Sequence, residues 1–178
     1  NITGGKSQNA LVSGMAIGNY TYDERYTVTA SYRYDGSSKL PKDNRWVPFY
    51  SAGFVWNAKN ESFLSDISLI NALRVRASYG TSGNSDNFPF SDFFYIPTYT
   101  VGDYQGMQVL GVASLGNSNL TWETTGQFNV GVDFSLFSSR LIGPVDVYDK
   151  RTKDLFVNRT LPFEQGGGTV QVNGGELQ

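Results

Sequence analysis

The chain has 178 residues, 39% of them hydrophobic, a net charge of −2, and neither cysteine nor histidine. This length and apolar content suit an ordinary folded domain and exclude a disordered polymer. The near-neutral charge excludes the basic footprint of a nucleic-acid-binding protein, and the missing Cys and His remove thiolate metal sites and the commonest general base. We therefore expect no cofactor and no nucleic-acid partner. The sequence has no run of about 18 apolar residues, so it predicts no transmembrane helix.

Alternation of polar and apolar residues recurs along the chain, and this period of two predicts β-strands. The first two strands are predicted in NALVSGMAIGNYTY and RYTVTASYRYD, with a short turn at Asp23 and Glu24 between them. Four more are predicted in PFYSAGFVW, ALRVRASYG, LTWETTGQFNVGVDFSLF and LIGPVDVYDKRTKDLFV, followed by the start of a seventh in GGGTVQVNGGELQ. A connector with a helical turn near 61–64 follows the third strand, and residues 82–120 are predicted as one long loop. Pro144 removes a ladder donor from the sixth strand, where we expect a bulge or local break.

The predicted connections alternate in length. If consecutive strands run up and down, the turns at 23–24, 59–70 and 138–139 share one end of the strands. The loops at 35–45, 82–120 and 158–168 then share the other end. Outer-membrane barrels have short periplasmic turns and long external loops. The alternation therefore fits such a barrel, with the long loops outside the cell.

Each predicted strand has one apolar and one polar face. A soluble β-sandwich would bury the apolar face in a core, whereas a membrane barrel would turn it to lipid. The charges on the polar faces favour the barrel, because an unpaired charge in a dry core costs several kcal/mol. The pattern alone leaves both open. In the barrel, the predicted lipid-facing residues are Val28, Ala30, Tyr32, Val75, Ala77, Phe128, Val130 and Val132, and the predicted lumen-facing residues are Arg74, Arg76, Glu123, Gln127, Asn129 and Asp133.

The longest predicted loop is rich in aromatic residues, and its only charged residues are aspartates. An exposed aromatic loop of this kind either contacts a partner or packs on itself. Both interpretations stay open from the residues alone. The candidate contact residues are Phe88, Phe90, Phe93, Phe94, Tyr95, Tyr99 and Tyr104.

The sequence offers no convincing catalytic motif. GTSGN departs from the G-x-S-x-G pattern of a nucleophile elbow, and the chain has no His to act as its base. GGGTVQVNGG is rich in glycine but lacks the lysine of a phosphate-binding loop. We therefore predict that the protein is not an enzyme.

Several long blocks resemble the barrel of SusC/RagA-type TonB-dependent transporters, the outer-membrane nutrient importers typical of Bacteroidetes. The blocks are NYTYDERYTVTASYRYDGSSKLPKDNRW, FYSAGFVWNAKNESFL, INALRVRASYGTSGN, LTWETTGQFNVGVDFSLFSSRL and VYDKRTKDLF, and they occur in family order. The resemblance implies an all-β, antiparallel transmembrane β-barrel of about 22 strands with a plugged lumen, of which residues 1–178 supply six to seven strands. The plug domain and the C-terminal strands are expected to lie outside this segment.

The resemblance also implies a function and partners. Such a transporter imports oligosaccharides or peptides across the Gram-negative outer membrane, with energy delivered by TonB through the plug. A SusD-like surface lipoprotein closes over the barrel as a lid, and outer-membrane lipid surrounds the wall. The aromatic loop is then expected to contact the lid or the substrate. The alternative is a soluble β-sandwich domain that binds carbohydrate or protein.

Overall fold

The protein is described here by a computed structural model covering residues 8–84, 93–162, 164 and 169–178. Strands dominate this part of the chain. They are β1 (Leu11–Tyr22), β2 (Tyr26–Ser37), β3 (Trp46–Asn57), β4 (Ile70–Asn84), β5 (Thr98–Tyr104), β6 (Met107–Ser114), β7 (Glu123–Leu136), β8 (Leu141–Lys153), β9 (Phe156–Thr160), β10 (Thr169–Asn173) and β11 (Glu176–Leu177). A short helix, α1 (Ser62–Ser65), confirms the predicted helical turn, and 3₁₀ turns occupy Lys42–Asn44 and Ala58–Asn60.

Seven strands form the main sheet in the order β1-β2-β3-β4-β7-β8-β11, and every neighbouring pair is antiparallel. The sheet is open, with β1 and β11 at its edges. No second layer of described residues covers its apolar face, since Val28, Tyr32 and Phe128 on this face are 48%, 53% and 49% exposed. The predicted antiparallel barrel wall is confirmed, and the soluble-sandwich alternative is not what the chain forms.

The connections fall at two ends of the sheet. The turns after β1, β3 and β7 lie at one end, which we call the turn end, and the connections after β2, β4 and β8 lie at the other, the loop end. This confirms the predicted alternation. In the first turn, Asp23 and Glu24 have φ values of 50° and 51°, and the Arg25 N–H donates to the Tyr22 carbonyl at 3.0 Å. Positive φ at both central residues matches the right-handed twist of the flanking strands.

The loop end contains more regular structure than the sequence predicted. β4 continues to Asn84, and β5 and β6 form an antiparallel hairpin, so the prediction of one long loop over 82–120 is wrong. β9 and β10 form a second hairpin over part of the predicted loop 158–168. The seventh strand of the main sheet is therefore β11, which pairs with β8 through Glu176 and Lys153, and not the stretch around Val170.

Pro144 does not interrupt β8. The register between β7 and β8 is continuous, with Pro144 opposite Asp133, so the predicted bulge or break at Pro144 is wrong. Among the described residues, the other side of β8 is paired only at Thr152 and Lys153. The backbone therefore accommodates Pro144 within a continuous ladder to β7.

The most buried side chains lie at the loop end. Leu40, Phe49, Leu120 and Trp122 form a cluster with 0–3% exposure, which we call the loop-end core. Phe49 lies opposite Arg33 in the register, so this core sits on the charged face of the sheet and not on its apolar face. The Trp122 indole N–H donates to the Arg45 carbonyl at 3.0 Å, which ties the connection before β7 to the start of β3. In the part of the chain described here, no helix is long and apolar enough to cross a membrane.

Candidate functional site

The eight residues predicted to face lipid share one face of the sheet. The register aligns Val28 with Phe54, Phe54 with Ala77, and Ala77 with Val130. The next row on the same face joins Val75 to Val132, and Ala30, Tyr32 and Phe128 belong to that face by alternation along their strands. Because the side-chain period of a strand is two, this shared register gives a continuous apolar surface across four strands, and Val147 opposite Val130 extends it to β8.

The opposite face carries all six residues predicted to face the lumen. Arg74 lies opposite Asp133, Ser78 opposite Asn129, and Gly80 opposite Gln127. The Arg76 guanidinium lies between two carboxylates, with its Nη2 3.2 Å from Asp133 Oδ1 and 2.9 Å from Asp146 Oδ2. We call Arg76, Asp133 and Asp146 the acidic–basic triad. It is about one-third exposed, so its charges remain hydrated.

Gly131 makes the triad possible. It lies directly between Arg76 on β4 and Asp146 on β8. A Cβ at this position would lie 2.3 Å from Asp146 Oδ1 and 3.1 Å from Arg76 Nε. The guanidinium therefore crosses β7 only because the middle residue has no side chain. Asp146 and Gly131 were not among the predicted residues, since a sequence alone does not place three strands in register.

Glu123 differs from the other five residues of the polar face. It is only 6% exposed, and its Oε1 accepts the backbone N–H of Phe156 at 2.8 Å. Glu123 therefore fixes the point where β9 leaves the main sheet. Phe156 in turn packs against the loop-end core.

The seven aromatic residues of the longest connection fall into three groups. Phe94 and Tyr95 pack against the loop-end core. Phe93, Tyr99 and Tyr104 are 42%, 60% and 62% exposed, the last two on the β5–β6 hairpin. Phe88 and Phe90 lie outside the described residues. Two of these aromatics thus pack inward, and the hairpin presents two to solvent, for which contact with a partner stays a prediction.

A cavity of about 510 Å³ lies between the two connections of the loop end. Its walls combine aromatic and aliphatic groups with hydroxyls and amides, and the described residues around it include no charged side chain. Pockets of 300–1,000 Å³ with an apolar lining and a few polar groups are typical of small-ligand sites. The lining residues are Phe93, Phe94, Ile96, Thr98, Ser114, Gly116, Asn158, Thr169, Val170 and Gln171.

A buried carboxylate organises the turn end. Glu61 is 9% exposed and accepts hydrogen bonds from the Tyr26 hydroxyl and, at 3.1 Å, from the Trp56 indole N–H, while the Arg25 guanidinium lies 3.5 Å away. The hydrogen bond from Tyr26, followed by that from Trp56, holds the pKa of Glu61 below its usual value. Glu61 thus ties the connector after β3 to the first turn. The sequence analysis did not single it out, because its partners lie on two other strands.

The described residues contain no group of three or more acidic side chains placed to hold a metal ion. The described residues form one exposed apolar face, one face that carries partly exposed charges, and a cavity with aromatic walls at the loop end. An antiparallel sheet with these two faces and with connections of unequal length at its two ends defines the wall of a membrane β-barrel.

Residues 2–178 match the family model described as TonB dependent receptor-like, beta-barrel, and the chain belongs to this family. It is 37% identical over 171 residues to TonB-dependent receptor P39 of Formosa agariphila and 34% identical over 163 residues to TonB-dependent receptor SusC of Bacteroides thetaiotaomicron. These alignments cover 96% and 88% of the chain. The fold is similar to that of the RagAB peptide transporter, with a TM-score of 0.82, 31% identity and 94% of the chain covered.

The chain spans about one-sixth of the length of these relatives, namely 16% of each receptor and 18% of the RagAB chain. The resemblance to SusC/RagA-type receptors stated from the sequence is confirmed. Proteins of this family lie in the outer membrane of Gram-negative bacteria, and this chain is part of such a barrel. The relatives are receptors and transporters rather than enzymes.

Proposed function

We propose that the chain forms part of the wall of a SusC/RagA-type importer that takes up oligosaccharides or peptides across the outer membrane with energy from TonB. The observation that carries this proposal is the shared register of the apolar face, which extends from β2 to β8. A surface of this kind is stable in lipid and would aggregate in water. Similarity to the RagAB peptide transporter supports peptides as a substrate class, and the resemblance to SusC/RagA-type importers implies oligosaccharides as the other.

The apolar face, with its eight aligned residues, contacts lipid in this proposal, and the charged face lines the lumen. The acidic–basic triad supports the second assignment, since a hydrated lumen permits partly exposed charges that hydrocarbon would disfavour. Glu123 belongs to the lumen side but acts as an anchor for β9, because its carboxylate is already engaged. The lumen wall is thus polar at mid-height and apolar at the loop end.

The loop end faces the outside of the cell in this proposal, because outer-membrane barrels keep their long connections external. There the cavity between the two connections receives part of the substrate, with Phe93 and Phe94 offering ring faces and Asn158 and Gln171 offering amides. The exposed Tyr99 and Tyr104 of the β5–β6 hairpin contact a SusD-like surface lipoprotein that serves as a lid. Exposed aromatic anchors usually supply much of the binding energy at an interface.

The test uses the full-length protein in cells that lack their own copy. Uptake of a fluorescent oligosaccharide pool and a fluorescent peptide pool is measured with and without functional TonB. We expect uptake of at least one pool, and its loss when TonB is removed. Uptake that continues without TonB, or failure to import either pool while the protein is correctly inserted, contradicts the proposal.

A further inference from the structure

A second concave site lies on the apolar face, away from the lumen and from the cavity. We call it the outer cleft and define it by Tyr50, Tyr79, Gly126, Phe128, Arg151 and Lys153. Its volume is about 380 Å³. The rings of Tyr50 and Tyr79 are 6.3 Å apart at their centroids, and a Cβ on Gly126 would lie 3.4 Å from the Tyr79 hydroxyl. The missing side chain at Gly126 therefore leaves the cleft open beside an aromatic wall.

The outer cleft lies where the apolar surface of β8 ends. On this face β8 presents Val145 and Val147, which are 59% and 71% exposed, and then Asp149, Arg151 and Lys153. Arg151 stands ten residues beyond Leu141, the first residue of β8. Ten residues extend about 33 Å along a strand, which at the usual tilt corresponds to about 25 Å of height, the thickness of the apolar band of outer-membrane barrels. The cleft is thus placed at the boundary between hydrocarbon and headgroups at the loop end.

The charged side chains that line the outer cleft give it a net positive charge, which favours an anion. Arg151 engages Asp149 through Nε and Nη2, each 3.1 Å from Oδ2, so this acidic group is already neutralised by one edge of the guanidinium. Arg151 and Lys153 both line the cleft, and Lys153 adds a second positive charge to it. Glu176 lies opposite Lys153 in the register and is the acidic residue expected to weaken anion binding from the neighbouring strand.

We propose that the outer cleft binds the phosphorylated headgroup of a glycolipid of the outer leaflet. Arg151 and Lys153 pair with the phosphate, while Tyr79 and Phe128 contact the sugar ring and the first acyl carbons. The combination fits a lipid rather than a soluble anion, because the aromatic wall continues directly into the lipid-facing surface. The inference rests on the proposed function in one respect, namely that the apolar face contacts lipid and the loop end faces outward.

The test measures the apparent Kd of bisphosphorylated lipid A for the full-length protein in mild detergent, by native mass spectrometry. The double variant Arg151→Gln/Lys153→Gln should raise this Kd about tenfold or more, because it removes two positive charges that would pair with the phosphate. Lys150→Gln is the matched control, since Lys150 lies on the same strand with its side chain on the opposite face. It should leave the Kd unchanged, and Glu176→Gln should lower it.

Two further probes separate the sources of phosphate. Phosphatidylglycerol and inorganic phosphate are titrated in the same detergent, and both should bind more weakly than lipid A. Equal Kd values for lipid A in the wild type and the double variant overturn the proposal. So does a Kd for lipid A that rises as much in Lys150→Gln as in the double variant, or a lower Kd for phosphatidylglycerol or inorganic phosphate than for lipid A. If the double variant fails to fold, Arg151→Gln alone is compared with Arg151→Lys, which keeps the charge and should keep most of the binding. The Kd of lipid A is measured on the purified barrel and does not depend on uptake. A failure of the lipid-binding proposal can therefore be distinguished from a failure of the proposed transport.

Discussion

The guanidinium of Arg76 lies 2.9 Å from the carboxylate of Asp146, although a whole strand separates their backbones. The residue between them is Gly131, whose missing side chain leaves the path open. The same guanidinium reaches Asp133 at 3.2 Å, so one cation joins three strands of the polar face. Such a contact depends on the register of β4, β7 and β8, and it makes the polar face sensitive to a side chain at position 131.

The acidic–basic triad predicts that any side chain at position 131 lowers the free energy of unfolding. Gly131→Val would push the flexible ends of the Asp146 and Arg76 side chains out of contact, and we expect the free energy of unfolding to fall by up to about 1 kcal/mol, as for the loss of partly exposed ion pairs. Thermal unfolding of the full-length barrel in detergent measures it. Gly53→Ala is the matched control on the same face, because the nearest atoms to its new Cβ lie 3.9 Å away. A Gly131→Val protein as stable as this control would show that the triad does not depend on the glycine.

Glu61 predicts a dependence of stability on pH. Folding lowers the pKa of Glu61, chiefly through the hydrogen bond from Tyr26. A group of this kind stabilises the fold above its unfolded pKa, about 4.3 for glutamate, and the contribution is lost as the pH falls through the lower folded pKa. The wild type should therefore unfold at higher temperature than Glu61→Gln at neutral pH, and the difference should shrink in acid. Asp66→Asn, an exposed carboxylate of the same connector, serves as the control, and a wild-type advantage that persists unchanged below pH 3 contradicts this role for Glu61.

The loop-end aromatics predict two distinct phenotypes. Tyr99→Ala and Tyr104→Ala remove exposed rings and should weaken association with the lid or the substrate by about 1–2 kcal/mol each without changing thermal stability. Tyr95→Ala removes a ring that packs on the loop-end core and should lower the unfolding temperature instead. Lid capture, uptake and melting are measured on the same variants of the full-length protein. Normal capture and normal uptake in both hairpin variants would end the contact hypothesis.

The orientation of the wall predicts which residues an impermeant reagent can reach. Single cysteines at Asp103, in the β5–β6 hairpin, and at Ser138, in the turn after β7, are placed in the full-length protein in intact cells. Asp103→Cys should react with an impermeant thiol reagent, whereas Ser138→Cys should react only after the outer membrane is permeabilised. These 178 residues contain no cysteine, and any cysteine elsewhere in the full-length protein is first replaced by serine so that each label has one site. Labelling of Ser138→Cys alone would show that the turn end, and not the loop end, faces the outside of the cell.

The two faces of the sheet were predictable from the sequence because the period of two is a local property. The β5–β6 hairpin was missed, since most of its residues are exposed on both sides and no buried face imposes a clear alternation. Its turn did carry a signal: Gln105 and Gly106 have φ values of 53° and 80°, and Asp103 Oδ1 accepts the Gly106 N–H at 2.9 Å. Aspartate three residues before glycine, between two apolar stretches, is typical of such a turn.

The contacts between strands were not predictable in the same way. The contact between Arg76 and Asp146 requires β4, β7 and β8 to pair in one particular register. The register between strands cannot be read from the sequence alone. The buried state of Glu123 follows from the departure of β9 from the sheet, which the sequence analysis interpreted as a continuous strand. Pro144 was expected to break β8 because a missing N–H is costly inside a sheet, but the ladder between β7 and β8 continues past it.

The central claim is that the apolar face contacts lipid and the polar face lines the lumen, and a pair of neighbouring substitutions tests it most directly. Val130 and Asn129 are adjacent on β7 but point to opposite faces, beside Ala77 and Ser78 respectively. The measurement is the free energy of unfolding of the full-length barrel in lipid vesicles for Val130→Arg and Asn129→Arg. We expect Val130→Arg to cost about 2–4 kcal/mol, as an arginine at mid-membrane depth does on a lipid-facing surface, and Asn129→Arg to have a small effect. Equal costs at the two positions, or a larger cost at Asn129, would contradict the assignment of the two faces.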